Sequence, residues 1–345
     1  MTIESLTRAG RTRHLDDLLG PAQQRYFGEG YKRAEHHLTE VNVGPHAHAR
    51  PAVTARAGVY YPPDWSRKGV VDQVPHLGTT DVLLIAVRLC EAYLLTVAGL
   101  DHDQLGQARL HAVRIKAGNT PVERDLGDFP VTVAAAAAST TAPRDGFVRT
   151  PLAGTVGPLS FRLAIDHPPG EPRDRTARYG SIGDVLGDPQ RRYSGTGFTR
   201  RSQHITDLEL DLPASAARAQ VGFHDTGGAA DRGLGWAHGT PAAAVDCFVV
   251  SLQLAQILLY ALDGIARAGS HTLWMRRTAI DLNPPHPTAS AAPVSTRLQD
   301  PALLTRDGAT WRCADIVGEL SGASVRCSVA HRLPSSPSQP GKDLS

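Results

Sequence analysis

Two histidines, two aspartates and a scattered set of arginines are the residues of this 345-residue chain whose types and spacing could do chemistry. His76 stands shortly before Asp81, which opens the apolar run Asp81-Val-Leu-Leu-Ile-Ala-Val-Arg-Leu-Cys-Glu-Ala-Tyr-Leu-Leu95. His238 precedes Asp246 in the same way, and Asp246 opens Asp246-Cys-Phe-Val-Val-Ser-Leu-Gln-Leu-Ala-Gln-Ile-Leu-Leu-Tyr260. Each aspartate is a good helix N-cap residue. A helix N-terminus offers unpaired N–H groups and partial positive charge, which suits a carbonyl oxygen turning into an oxyanion. A nearby histidine can take or give a proton near neutral pH. His76, Asp81, His238 and Asp246 are therefore the candidate catalytic residues. The plainer alternative is that each aspartate only caps its helix and each histidine is satisfied by loop backbone.

Polar residues within the two apolar runs carry a second signal. Arg88 and Glu91 interrupt the first, and Gln253 and Gln256 the second, at matching positions. A charge buried without a partner costs several kcal/mol, so Arg88 and Glu91 must pair, reach solvent or face a site. At a spacing of three on a helix they can pair with each other. Arg88, Glu91 and Gln253 are candidate substrate-binding residues. The difference between the copies suggests that one half does chemistry while the other binds or supports.

These runs belong to a larger duplication. Leu19-Gly-Pro-Ala-Gln-Gln-Arg-Tyr-Phe-Gly-Glu-Gly-Tyr-Lys-Arg33 matches Leu186-Gly-Asp-Pro-Gln-Arg-Arg-Tyr-Ser-Gly-Thr-Gly-Phe-Thr-Arg200 without a gap, at an offset of 186 − 19 = 167. Its Arg25 and Arg192 could hold an anion such as phosphate, helped by Gly-rich backbone. A structural role in starting a strand and packing the two halves together is favoured, because the block occurs twice. Arg276, beside Arg277 after Trp274-Met275, is a further candidate anion contact or a solvated strand residue.

The elements that must position these residues are an apolar helix and several strands in each half. A helix apolar nearly all round must be buried on most faces. After the first helix, Ala108–Ala117, Phe129–Ala137 and Leu159–Asp166 read as strands. Thr272–Leu282, Ala309–Leu320 and Ala323–Leu333 follow the second, several with the alternation of half-buried antiparallel strands. Lys32–Val43, Ala52–Tyr61, Ser202–Leu212 and Ala219–Asp225 can supply strands before the helices, and Asp145-Gly146 and Asp307-Gly308 mark corresponding turns. Pro284–Ser295 reads as an irregular loop. The fold class is thus α+β: a double hot-dog, two tandem modules, each a curled antiparallel sheet around a central apolar helix. The expected boundaries are 14–166 and 178–333, with a Pro-rich linker at 167–177 and a disordered tail at 334–345.

Composition narrows the classes. A net charge of +2 from 36 Lys+Arg and 34 Asp+Glu, with no long run of one sign, argues against nucleic-acid or anionic-membrane partners. Neither apolar run reaches the ~18 residues of a membrane span, and Met1–Arg13 lacks a signal-peptide core, so a cytoplasmic location is expected. Cys90, Cys247, Cys313 and Cys327 are widely spaced and read as free thiols. His36-His37 and His46/His48 are near neighbours, but the sequence has no metal-binding, P-loop, dinucleotide or G-x-S-x-G signature, so no metal or other cofactor is expected.

The stretch from Leu19 to Tyr31, Gly69-Val-Val-Asp-Gln-Val-Pro-His76-Leu-Gly-Thr-Thr-Asp81, and Leu273-Trp-Met-Arg276 together resemble the avirulence protein D (AvrD) family, over about Leu15 to His331. The resemblance implies biosynthesis of syringolide-type acylated sugars from a β-ketoacyl thioester and a xylulose-type sugar. It is similar in logic to the AfsA-like butenolide-synthesis enzymes, which join such a thioester to a phosphorylated triose. The implied partners are an acyl carrier protein or coenzyme A thioester and a sugar or sugar phosphate, with a homodimer open as the assembly. On this reading His76 deprotonates the sugar hydroxyl, the helix start at Asp81 holds the thioester carbonyl and an arginine holds the phosphate. A β-hydroxyacyl thioester dehydratase, a thioesterase, and a non-catalytic binder of an acyl-lactone or acyl-sugar signal are the alternatives.

Overall fold

The computed structural model describes residues 14–46, 50–68, 71–118, 120–136, 141–173, 176–226, 233–234, 242–271, 273–282 and 291–334. Both apolar runs are helices, Thr79–Thr96 and Ala244–Asp263, here called the first and second core helices. Every residue of the first is buried, as are Ala244 to Tyr260 of the second. Their interior leucines and isoleucines each contribute about 1.5–3 kcal/mol of burial. Asp81 and Asp246 are not the N-caps. Gly78 and Ala243 hold those positions, and each aspartate sits at the third helical residue, accepting the N-cap main-chain N–H at 2.8 and 2.9 Å. A carboxylate there satisfies an orphan donor of the helix start as half of a capping box, which is why the sequence signal lay so close to the true start. The second core helix is also longer than the apolar run implied. Its 20 residues are long and apolar enough to cross a membrane, but 89% of that stretch is buried inside the protein.

In chain order the first strands are β1 (Glu35–His46), β2 (Arg50–Tyr60), the short β3 (Arg67–Lys68) and β4 (Val71–Asp72), β5 (Arg109–Lys116), β6 (Phe129–Ala135), β7 (Thr141–Arg144), β8 (Phe147–Val156), β9 (Leu159–His167) and β10 (Ala177–Ser181). There follow β11 (Arg201–Asp211), β12 (Ala216–Asp225), β13 (Leu273–Leu282), β14 (Ala292–Arg306), β15 (Ala309–Leu320) and β16 (Ala323–Arg332). β3 and β4 form a ribbon of their own. The rest make one 14-stranded sheet running β10-β1-β2-β6-β8-β9-β5-β13-β16-β15-β14-β12-β11, with β7 on β8.

From the central β5–β13 pair outward, one half reads β5-β9-β8-β6-β2-β1 and the other β13-β16-β15-β14-β12-β11. The order is the same, and each core helix enters after the second strand of its half. The chain is a double hot-dog. Irregularities repeat as well: Glu40 in β1 and Asp207 in β11, 207 − 40 = 167 apart, both take φ 51° where the register shifts. β5 and β13 join the halves antiparallel, pairing Val113 with Ile280 and Ile115 with Thr278, and Arg114 donates to Asp281 at 2.6 Å beside them.

The local reasons are simple. β9 buries Leu159, Phe161, Leu163 and Ile165 in alternation, so one face of the strand meets the core. The expected turns close the β7–β8 and β14–β15 hairpins, with Arg144 opposite Phe147 and Arg306 opposite Ala309. Lys32–Val43 starts as a strand only at Glu35, because Gly30–Arg33 is a 3-10 turn. Ala292–Ser295, expected within a loop, opens β14, while residues 283–290 and 335–345 lie outside the described residues. β3, β4, β7, β8, β10 and β14 went unread as strands. β10, just beyond the Pro-rich segment, pairs with β1 and so extends the first half's sheet.

The duplicated blocks cross between the halves. The first block packs on the second core helix, where Phe27 meets Phe248 edge-on at 5.8 Å and Arg25 donates to Gln253 at 2.6 Å. The second block packs on the first core helix. Arg88 does not turn to Glu91: its guanidinium donates to the carbonyls of Ser194 at 2.5 Å, Gly195 at 2.9 Å and His36 at 3.2 Å. Desolvation pulls Arg88 down to about 10, and main-chain oxygens spread through its fork answer that cost. Gly28 and Gly195 of the blocks are required by close approach. A Cβ at Gly28 would lie 2.4 Å from the Ala22 carbonyl oxygen, and one at Gly195 would lie 2.1 Å from that of Pro189.

Candidate functional site

A cleft of about 820 Å³, its open mouth included, lies between the halves at the N-terminus of the first core helix. Gly78 and Thr79 of that helix, the loop carrying His76, the first duplicated block, the start of β13 and Gln256 of the second core helix all reach it. Apolar walls come from Phe27, Trp65, Leu77, Val122, Leu159 and Met275. Arg25, Lys68, Arg267, His76 and the Tyr26 phenol are its charged or titratable lining, and no carboxylate lines it among the described residues. An apolar cleft with several converging cations is suited to an anionic ligand that carries a hydrocarbon tail.

His76 is half-buried, with its ring edge-on to Trp65 at 5.6 Å. Burial pushes its pKa below the usual imidazole value, so the ring is neutral at pH 7. Nδ1 lies 3.3 Å from the Val74 carbonyl. The tautomer that donates there leaves Nε2 as an acceptor, the form a general base requires. Thr79 is the first residue of the helix, where main-chain N–H groups lack intrahelical partners. Gly78 permits this crowded entry: a Cβ on it would sit 2.5 Å from the Tyr26 hydroxyl, which itself pairs with Thr80 Oγ1 at 2.7 Å.

Asp81 does not line the cleft. Its carboxylate is fully buried and taken up by the Gly78 N–H at 2.8 Å, the Tyr61 hydroxyl at 2.5 Å and His36 Nε2 at 2.8 Å. The Tyr61 hydroxyl also lies 2.9 Å from the His76 carbonyl, so Asp81 reaches the cleft only by bracing the His76 loop. Asp246 is its counterpart, accepting from Arg201 Nε at 2.8 Å, Gln203 Nε2 at 2.7 Å and the Ala243 N–H. Neither aspartate faces open space, and both tie a helix start to the first strand of its half. His238 lies outside the described residues.

Arg25 is buried and donates to Gln253 and, at 2.5 Å, to Asp16, while its Nε has no partner. Gln253 acts as that acceptor and does not line the cleft. Arg267 donates to the Gln24 carbonyl at 2.8 Å. Arg276 is exposed at a bulge of β13 and is not part of this cleft's lining, so it is not an anion contact there. Sequence reasoning missed Lys68 and Arg267. Neither falls in the repeat or on an apolar run, so only their convergence in space marks them.

A family model described as Pseudomonas avirulence D protein (AvrD) matches residues 11–334. The chain belongs to the AvrD family. No curated protein matches it. Solved structures similar to this AvrD-family chain include the pyran synthase domain from module nine of the sorangicin pathway, at 13% identity over 87% of this chain and 98% of that one, TM-score 0.37. An acyl-ACP thioesterase from Bacteroides thetaiotaomicron VPI-5482 is 12% identical over 87% and 99%, TM-score 0.35. Acyl-CoA thioesterase II TesB2 from Mycobacterium marinum is 15% identical over 68% and 84%, TM-score 0.30.

In this AvrD-family chain the equivalent position on the other half is filled. Arg192, the counterpart of Arg25, donates to the Leu186 carbonyl at 2.7 Å and lies 3.1 Å from His102 Nδ1 and 3.8 Å from Glu91. Glu91, the counterpart of Gln256, accepts from Ser194 Oγ at 3.1 Å and the Leu234 N–H at 2.7 Å. Gly233, at φ +96°, lets that main chain close on the carboxylate, since a Cβ there would come within 2.1 Å of Glu91 Oε1. Burial raises Glu91 to about 6 against the pull of Arg192 and these two donors. A residual hollow of about 210 Å³ nearby is lined largely by apolar side chains. Glu91, Arg192 and Arg88 therefore hold the halves together rather than facing an open cleft.

Proposed function

We propose that the chain condenses a β-ketoacyl thioester, carried by acyl carrier protein or coenzyme A, with a hydroxyl of a phosphorylated ketose. The observation that carries this reading is the lining of the open cleft: two arginines and a buried lysine, one neutral histidine at a helix start and a long apolar wall. The acyl chain lies against Leu77, Val122, Leu159 and Met275. Its thioester carbonyl points at the free N–H of Thr79, where charge developing on oxygen is stabilised. His76 Nε2 takes the proton of the sugar hydroxyl as that oxygen attacks the carbonyl carbon. The proton then passes to the leaving thiolate, so an oxygen ester forms and a thiol departs. Arg25 and Arg267 hold the phosphate, and that binding aligns the hydroxyl with the carbonyl.

Membership of the AvrD family supports a place in secondary-metabolite biosynthesis. A cationic cleft favours a phosphorylated acceptor over water, which is why condensation is preferred to hydrolysis. The test is incubation of the full chain with a β-ketoacyl carrier-protein thioester and a panel of ketose phosphates, followed by mass spectrometry. A condensed acyl-sugar phosphate is expected. Free acid alone would make the chain a thioesterase, an enoyl thioester from a β-hydroxyacyl substrate would make it a dehydratase, and tight binding without turnover would make it a ligand-binding protein.

A further inference from the structure

Lys68 has surroundings unlike those of an ordinary phosphate-binding lysine. It stands on the β3–β4 ribbon at the cleft wall and is only 6% exposed. Its ammonium group donates to the His271 carbonyl. No carboxylate lies within ion-pairing distance of it among the described residues. The groups that feel its charge are Arg267, His76, His271 and His331, all basic. His331 is buried with both ring nitrogens unpartnered. Desolvation first, and the Arg267 charge second, push Lys68 down to about 7. An amine buried among cations gives up its proton readily and is then a nucleophile.

We propose that Lys68 forms an imine with a substrate ketone in the cleft. The amine nitrogen adds to the carbonyl carbon, and the two amine hydrogens leave with the ketone oxygen as water. The proposed condensation supplies two ketones, that of the sugar and that of the β-ketoacyl chain, and the inference rests on that reading only for their identity. With the sugar ketone, the acidic carbon between the two acyl carbonyls can attack the protonated imine carbon, forming a C–C bond as the C=N electrons move to nitrogen. Loss of the remaining proton on that carbon, with departure of the amine, leaves a C=C bond and returns Lys68. The net change is loss of one water, and no oxidant or reductant is needed. The same cleft would then both join the two substrates and close a ring.

The test treats the full chain with dihydroxyacetone phosphate, xylulose 5-phosphate or an S-pantetheinyl β-ketoacyl thioester, each with cyanoborohydride, and maps the reduced adduct by peptide mass spectrometry. Adduct on Lys68 is expected, with the sugar and acyl arms telling which ketone is taken. Half-maximal labelling should fall near neutral pH, whereas exposed lysines label slowly there and speed up only in base. K68M and K68R should lose the adduct, and thermal melts of both report whether the fold survives. The wild-type mapping decides the matter even if neither variant folds. No adduct with any ketone, or adduct spread over Lys32 and Lys116 as well, overturns the proposal. Condensation without the adduct would sink the imine and leave the function standing, whereas adduct without condensation would do the reverse.

Discussion

Arg25 of the first duplicated block donates to Gln253 on the core helix of the opposite half at 2.6 Å, across 228 residues of chain. Its counterpart Arg192 approaches the first core helix and lies 3.8 Å from the carboxylate of Glu91. Glu91 stands where the second core helix has Gln256, and Arg88 where it has Gln253, so the two ends of the molecule differ at both helix positions. Where the helix offers glutamines, the arginine keeps an unpartnered Nε beside an open cleft. Where it offers an acid, the charge is answered within the protein and the main chain at Gly233 and Leu234 closes over it.

His76→Ala should leave the melting temperature within the range of a surface change. Its ring makes one long hydrogen bond, to Val74, and one edge-on contact, to Trp65, so little packing is lost. Turnover in the condensation assay should fall by about 10²–10⁴, the usual worth of a general base. Wild-type rates in this variant would remove His76 from the mechanism.

Arg267→Met removes a cation from the cleft while keeping an apolar stem of similar length. KM for a ketose phosphate should rise about tenfold to a hundredfold, as expected for loss of a charged hydrogen bond. KM for the acyl thioester should hold. Steady-state kinetics with each substrate varied in turn separates these outcomes, and an equal rise in both would contradict the phosphate assignment.

Asp246→Asn should cost more stability than Asp81→Asn. The first breaks a buried contact to the Arg201 guanidinium, about 3 kcal/mol. The second disturbs donors from Gly78, Tyr61 and a His36 ring whose pKa burial lowers, about 1–2 kcal/mol. Urea titration with the slope held common reads both. Loss of turnover in Asp81→Asn without any loss of stability would show a direct catalytic role that the geometry does not support.

Glu91 makes stability depend on pH in a specific direction. Its folded pKa, about 6, lies above the ordinary carboxylate value of 4.5, so the folded protein binds this proton more tightly than the unfolded chain. Its contribution is therefore fully present below pH 4.5 and is lost as pH rises through 6, a change of about 2 kcal/mol. Glu91→Gln should flatten that part of the stability profile. An unchanged slope between pH 4.5 and 6.5 in the variant, measured by denaturant unfolding, would refute the assignment (pH limits set by the same values).

Gly28→Ala and Gly195→Ala should both lower the melting temperature, because each new methyl group meets a main-chain carbonyl that cannot move aside. The cost is about 1–3 kcal/mol apiece, in the range of an overpacked site. Thermal melts of the two variants side by side test whether the blocks are equivalent in their fold. A neutral result at either position would mean that the close approach is relaxed in solution.

The duplication, the two buried helices and most strands were legible in the sequence because each is written locally. A 15-residue run apolar nearly all round, a strand such as β9 alternating about every second residue, and an Asp-Gly turn each need only a few neighbours to show themselves. β8, β10 and β14, whose start read as a loop, left weaker traces. β8 is half-buried along most of its length, so alternation is blurred, and β10 is a five-residue edge strand that exists because β1 is there to pair with it. The roles of individual polar residues were settled by packing. Asp81 and Glu91 read as site residues from their types, yet each has its acceptor capacity filled by groups that the fold brings from distant parts of the chain. Lys68 and Arg267 carry no local signal, yet the pairing of β5 with β13 and the crossing of the duplicated blocks bring them to one cleft wall. Local pattern specifies which elements form, since it depends on backbone period and side-chain polarity. Which charge is answered and which is left facing a cleft depends on contacts a hundred or more residues apart, and those exist only once the two halves have closed on each other.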